Sequence, residues 1–154
     1  MAEHIEMPDV ERKEIAESLS RLLADTYALY LKTQNYHWNV VGPRFRELHL
    51  MFEQEYEELA GAVDEIAERI RIVGFSAPAT FAEFSRLTSL QEEEGVPNAE
   101  TMVHKLRGGH ESVLRTAREV VDIAGRAGDH GTVELATERI AVHEKTGWML
   151  ASAA

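Results

Sequence analysis

Cysteine is absent from the 154 residues. That removes disulfides, thiolate nucleophiles and every zinc or iron–sulfur centre built on sulfur ligands, while leaving the compartment open. Lysine is scarce: only Lys13, Lys32, Lys105 and Lys145 stand among 16 basic residues, against 27 acidic ones and a formal net charge of -11. Such a surface repels phosphate backbones. The terminal stretches MAEHIEMPDVE and ASAA carry no basic run either, so direct DNA binding is not expected. No apolar run approaches the roughly 18 residues of a membrane helix, and no basic segment followed by an apolar one opens the chain. The expectation is a cytoplasmic protein with no membrane partner. Internal repeats and low-complexity tails are missing too, and the length fits a single domain, 1–154.

What is present is helical periodicity. After Pro8, Asp9 is a fair N-cap for a helix over 10–40, with a stripe of Ile15, Leu19, Leu22, Leu23, Thr26, Leu29, Tyr30, Thr33 and Val40. His37 continues that stripe. A second helix over 44–73 carries Phe45, Leu48, Phe52, Leu59, Val63, Ile66, Ile70 and Val73 and stops at Gly74. Residues 75–97 are too long for a tight turn and hold a short amphipathic helix, TFAEFSRL at 80–87, before a solvated acidic loop, Glu92-Glu93-Glu94-Gly95. A third helix follows Asn98 and runs to about Ala127 along Met102, Val103, Leu106, Val113, Leu114, Ala117, Val120, Val121 and Ala124. Gly108-Gly109 in its middle costs about 1 kcal/mol per glycine, which close packing would explain. GDHG at 128–131 is read as a turn, and a fourth helix as 132–151 with Val133, Leu135, Ala136, Ile140, Val142, Met149 and Leu150. The fold expectation is all-α: a four-helix bundle with a short extra helix in the long connection between helices two and three.

The chain is organised around TQNYHWNVVGPRFRELHLMFEQEYEELAGAVDEIAERIR, residues 33–71. His37 and His49 flank a Gly42-Pro43 break that folds one helix back on the next. On the second helix His49 and Glu53 sit one turn apart on one face, as do Asp64 and Glu68, and both pairs share roughly one stripe. Glu53 and Asp64 are nevertheless roughly 16 Å apart along the axis at about 1.5 Å per residue. A metal ion holds its ligands at about 2.0–2.3 Å, so one helix cannot bring both pairs to one ion. The pairs 49/68 and 53/64 are both centred between Glu58 and Leu59. An antiparallel copy of the helix, related by a two-fold axis there, sets His49 and Glu53 of one subunit opposite Asp64 and Glu68 of the other, twice per dimer.

Other histidines carry less. His110 and His143 lie on apolar stripes and read as hydrogen-bonded core residues; His104 reads as surface. From spacing alone, H-x-x-x-E and D-x-x-x-E also suit a solvated acidic helix face, and Glu55, Glu57, Glu58 and Glu65 show how acidic this one is. Both readings stay open at that level. Two imidazoles with three carboxylates and no thiolate favour iron or manganese over structural zinc. No histidine has Glu three residues before it, so the Glu-x-x-His pattern of di-iron bundles is lacking and a site within one subunit is disfavoured.

At NYHWNVVGPRFRELHLMFEQEYEEL followed by DEIAERI the chain resembles the Dps family, ferritin-like mini-cages. The likeness rests on H-W-N-x-x-G-P-x-F, L-H-x-x-F-E and D-E-x-A-E-R-I, and extends more weakly to HEKTGWML in the last helix. It implies a ferritin-like bundle assembled as a homododecamer. It also implies ferroxidase sites at two-fold interfaces, where Fe(II) is oxidised, preferably by hydrogen peroxide, and stored as ferric mineral. By motif match, His37, His49 and Glu53 come from one subunit and Asp64 and Glu68 from the other. Position 53 is more often Asp in the family, and Glu is one methylene longer. Trp38 matches the family's tryptophan beside the site, where it intercepts radicals; a large packing residue is an equal reading. Asp129 and Glu134 match acidic residues lining iron-entry pores, although His130 stands where an acid is usual; helix capping explains the same two residues. Some family members coat nucleoid DNA, typically through Lys-rich tails, which is the alternative function and one this Lys-poor chain is not expected to serve.

Overall fold

The computed structural model describes residues 4–154. Among them α1 spans Asp9–Asn39, α2 Phe45–Val73, α3 Phe81–Leu87, α4 Ala99–Arg126 and α5 His130–Ala153. α1 and α2 form one antiparallel hairpin, α4 and α5 a second, and α4 lies along α1 while α3 packs on α1 from the connection. The architecture is the expected four-helix bundle with a small helix in its long connection. No helix of the described residues is long and apolar enough to cross a membrane.

The periodic stripes become one continuous core. Ile15, Leu19, Leu22 and Leu29 of α1, Phe52, Leu59, Ile66 and Ile70 of α2, and Met102, Leu106, Val113 and Val120 of α4 are all fully enclosed in it. α5 departs from the expectation. Four of its six buried residues are polar (Thr132, Arg139, His143 and Thr146), while Val133, Leu135, Ile140 and Val142 are only partly buried and Met149 is exposed. Its inward face carries hydrogen bonds and an ion pair beside its apolar contacts.

Local chemistry sets the ends. Asp9, expected as the N-cap, is the first helical residue after Pro8, because Arg12 ion-pairs with its carboxylate and directs Nη1 onto the Val73 carbonyl at 2.9 Å. Gly74 closes α2 as expected: at φ +106° its N–H reaches Arg71 O at 3.0 Å, and Phe75 N–H reaches Ile70 O at 3.2 Å. Asn98 caps α4, its Oδ1 accepting from Thr101 N–H at 2.9 Å. α5 begins two residues earlier than expected, at His130, which places Gly131 inside the helix. A Cβ there would meet Arg69 Nη2 at 2.7 Å, so the glycine is explained by a neighbouring helix rather than by a turn. The glycine pair of α4 divides likewise. A Cβ on Gly109 would lie 2.7 Å from Leu29 Cδ1, whereas Gly108 faces open space.

Two carboxylates fasten the long connection. Asp25, buried on α1, accepts from Thr88 Oγ1 (2.7 Å), Ser89 N (2.6 Å), Ser89 Oγ (2.9 Å) and Thr116 Oγ1 (2.6 Å). The acidic loop is less solvated than its composition suggests, since Glu93 turns in to accept from Tyr36 Oη and to pair with Lys105.

Candidate metal centre

The α1–α2 turn places both histidines. Gly42 at φ +119° adopts the left-handed backbone that reverses the chain, and its carbonyl accepts from Phe45 N–H at 3.0 Å. The last turn of α1 then lies beside the first turns of α2. The His37 and His49 rings stack face to face, centroids 3.8 Å apart and planes 13° from parallel. The bonding is reciprocal: His37 Nδ1 lies 2.7 Å from His49 O, and His49 Nδ1 lies 2.7 Å from His37 O. A carbonyl only accepts, so each Nδ1 carries a proton, and in the neutral imidazole each Nε2 keeps its lone pair. That tautomer, held by an outer hydrogen bond, is the one a metal-ligating imidazole uses.

The rings are also braced from outside. Phe45 stacks on His49 at 4.9 Å and 22°, and Tyr56 presents its ring edge-on to His37 at 5.2 Å. Phe45 was expected on the buried stripe; it is 43% exposed, and its neighbour is the histidine rather than the core. Partial desolvation, then the charges of Glu53 and Glu57, raise the Tyr56 phenol above its usual pKa. Tyr56 carries no motif, but it lies seven residues after His49, and that helical spacing was a usable signal.

His37 is buried, His49 and Glu53 are half-buried, and Asp64 and Glu68 are exposed on the same helix about three turns further on. Glu68 is held above the usual carboxylate range first by its hydrogen bond to Asp64, then by the Asp64 charge and slight desolvation. Among the described residues, no three His, Asp or Glu side chains of one chain converge where a metal ion could be held. Trp38 is 61% exposed and belongs to none of the ring pairs among the described residues.

The pore candidates separate. Asp129 is buried and accepts from Arg69 Nη2 at 2.6 Å and Thr132 N–H at 3.2 Å, so it caps α5 and ties that helix to α2. Glu134 is exposed and shares a surface groove with Glu65, Glu68, Arg69 and Glu138.

His110 and His143 are core residues, as expected, and they bond to each other. Arg139 forms a two-pronged pair with Glu58 (Nη1–Oε2 2.6 Å, Nη2–Oε1 2.8 Å) and also donates from Nη2 to His143 Nε2 at 3.0 Å. His143 therefore carries its proton on Nδ1 and donates to His110 Nδ1 at 2.8 Å. Burial pushes both rings down, His110 to about 3. Glu55, inward on α2 and missed in the acidic run, is buried without a hydrogen-bond partner, and burial pushes its carboxyl up to about 8.

Comparisons with known proteins fit this geometry. The family model for the ferritin-like domain matches residues 16–154. A low temperature-induced protein of Nostoc is 40% identical over 151 residues, covering 97% of this chain and 84% of that one. DNA protection during starvation protein 2 of Bacillus anthracis is 37% identical over 138 residues, covering 90% and 94%. Among solved structures, the Dps protein of Vibrio cholerae O1 superposes with a TM-score of 0.93 at 31% identity, covering 99% of this chain and 96% of that one; it is described as a member of a broad superfamily of ferritin-like diiron-carboxylate proteins.

Proposed function

The chain belongs to the Dps family of ferritin-like proteins, and on that premise we propose that it oxidises Fe(II) with hydrogen peroxide at sites completed by a second subunit. Membership carries iron storage and ferroxidase-type chemistry in general; the particular site, oxidant and assembly are our reading. His37 and His49 present Nε2 lone pairs and Glu53 a carboxylate, while Asp64 and Glu68 arrive from a partner across a two-fold axis near Glu58 and Leu59. Ala60 and Gly61 are exposed beside that midpoint, two small residues where the helices would approach. The observation that carries the reading is the reciprocal His37–His49 bond pair, which suits both imidazoles to ligation where, among the described residues, one chain brings no third ligand to them.

Iron is here the substrate. Neutral imidazoles and hard carboxylate oxygens suit Fe(II) and stabilise Fe(III) more, so oxidation is assisted by the ligand set. Two Fe(II) supply the two electrons that reduce one peroxide to water, and the ferric product collects in a dodecameric cage. Protection of DNA, the property named in the relatives, then follows from removing iron and peroxide in the cytoplasm rather than from coating an anionic polymer with an anionic protein. Crystals soaked anaerobically in Fe(II) test this. Anomalous iron density is expected between His49 of one subunit and Asp64 of another; density confined to other positions, or α2 facing its mate in a different register, overturns the site.

A further inference from the structure

An aromatic line leads away from the histidine pair. Tyr56 lies edge-on to His37 at 5.2 Å between centroids, Tyr30 stands 5.9 Å from Tyr56, and Tyr27 stands 5.7 Å from Tyr30, where Phe84 stacks on it at 4.9 Å. All three tyrosines are only partly buried. Ordinary aromatic packing accounts for each contact by itself, but packing alone does not require phenols in succession from a metal ligand. Phenols are readily oxidised by one electron; the phenyl ring of Phe84 is not, and it closes the line. Gln34 Nε2–H donates to Tyr30 Oη at 3.3 Å, a bond that survives loss of the phenol proton.

We propose that Tyr56, Tyr30 and Tyr27 form a one-electron relay that holds an oxidising equivalent when peroxide meets a site occupied by a single Fe(II). The inference rests on the ferroxidase reading of the His37–His49 site. One Fe(II) reduces peroxide to hydroxide and a hydroxyl radical, becoming Fe(III). The radical takes the hydrogen atom of Tyr56 Oη–H, giving water and a Tyr56 phenoxyl. An electron passes ring to ring from Tyr30, and then from Tyr27, each oxidised phenol losing its proton to solvent and each reduced one regaining a proton. A second Fe(II), on arrival, returns one electron through the same line and the phenol is re-formed with one proton. In sum, two Fe(II), one peroxide and two protons give two Fe(III) and two waters, with no radical released.

The test uses the assembled protein, loaded anaerobically with one Fe(II) per site, mixed with hydrogen peroxide and freeze-quenched. Ring-deuterated tyrosine identifies the radical by electron paramagnetic resonance, and a spin trap counts escaping hydroxyl radical. Wild type is expected to show a tyrosyl signal; Tyr56→Phe, which keeps the ring packing, loses it and releases several-fold more trapped radical. Tyr30→Phe keeps a signal confined to one tyrosine, with a simplified hyperfine pattern. Iron oxidised normally in wild type without any tyrosyl signal, or a Tyr56→Phe signal at the wild-type level, overturns the relay alone. Failure of wild type to oxidise iron overturns the ferroxidase reading and the relay with it.

Discussion

The molecule holds two histidine pairs, each joining neighbouring helices, and they differ in what the Nδ1 atoms touch. At the mouth of the first hairpin, His37 and His49 give both Nδ1 protons to backbone carbonyls at 2.7 Å, which leaves each neutral imidazole its Nε2 lone pair. In the bundle interior, His110 and His143 bond Nδ1 to Nδ1 at 2.8 Å, and Arg139 occupies the one Nε2 with a lone pair. The first pair has its donor capacity satisfied and two acceptor lone pairs free. The second has used its lone pairs internally. An imidazole becomes a ligand through the partner its other nitrogen finds, more than through burial or proximity to a second histidine.

The sharpest way to break this contrast is to truncate one member of each pair. His49→Ala should lower Fe(II) oxidation by peroxide at least about 100-fold, beyond the 10–100-fold cost of losing an outer-shell partner. His110→Ala should leave that rate nearly unchanged while lowering the unfolding temperature, since it empties a packed, buried position. Stopped-flow ferric absorbance and a melting curve on the same preparations check both. Equal rate losses in the two variants would erase the functional distinction.

A second test separates the two regions by pH. The interior histidines have folded pKa values below 6.5, so the stability they contribute is complete above that value and is lost as pH falls. Glu55 behaves oppositely. Its folded pKa of about 8 lies above 4.5, so its contribution is complete below 4.5 and is lost as pH rises towards 8. Between 6.5 and about 8, Glu55 alone of these three changes the stability, with a slope of up to about 1.4 kcal/mol per pH unit. Melting temperatures at the two ends of that window should differ in wild type and converge in Glu55→Gln. An unchanged slope in the variant would place the ionisation elsewhere.

Much of this was legible in the sequence because the signals are local. The stripes of α1, α2 and α4 follow helical spacing, and Asn98 and Gly74 act through side-chain or backbone geometry one turn away. What was not legible depends on another helix. Gly131 reads as a turn until the Arg69 guanidinium is seen against it, and no local signal marks Arg139, whose partners Glu58 and His143 include one from another helix. Glu55 is an intermediate case. Its place three residues after Phe52 and four before Leu59 puts it on the buried stripe, but its acidic neighbours masked that periodicity. For the candidate site, spacing alone pairs the candidate residues and sets the pairs too far apart for one chain, but leaves a solvated acidic face as an equal reading. The ring stacking, and the carbonyl bonds that place the Nδ1 protons, needed the fold.

The smallest expected effect concerns the bracing of the first pair. Phe45 stacks on His49 at 4.9 Å while remaining 43% exposed, so the ring contributes little to the core and its contact with the imidazole is the larger part of its role. Phe45→Leu keeps apolar volume and helix propensity but removes the flat face that holds the imidazole parallel. An aromatic pair is worth about 0.5–1.5 kcal/mol beyond area burial. If that energy serves to pre-orient His49, Fe(II) affinity should weaken by about two- to ten-fold, since 1.4 kcal/mol is a factor of ten. Calorimetric titration under anaerobic conditions reads this directly. The interior pair has no such exposed brace, so a variant that weakens iron binding without lowering the melting temperature would show orientation and stability to be separable at the hairpin mouth. A loss in melting temperature with iron affinity intact would make Phe45 a packing residue after all.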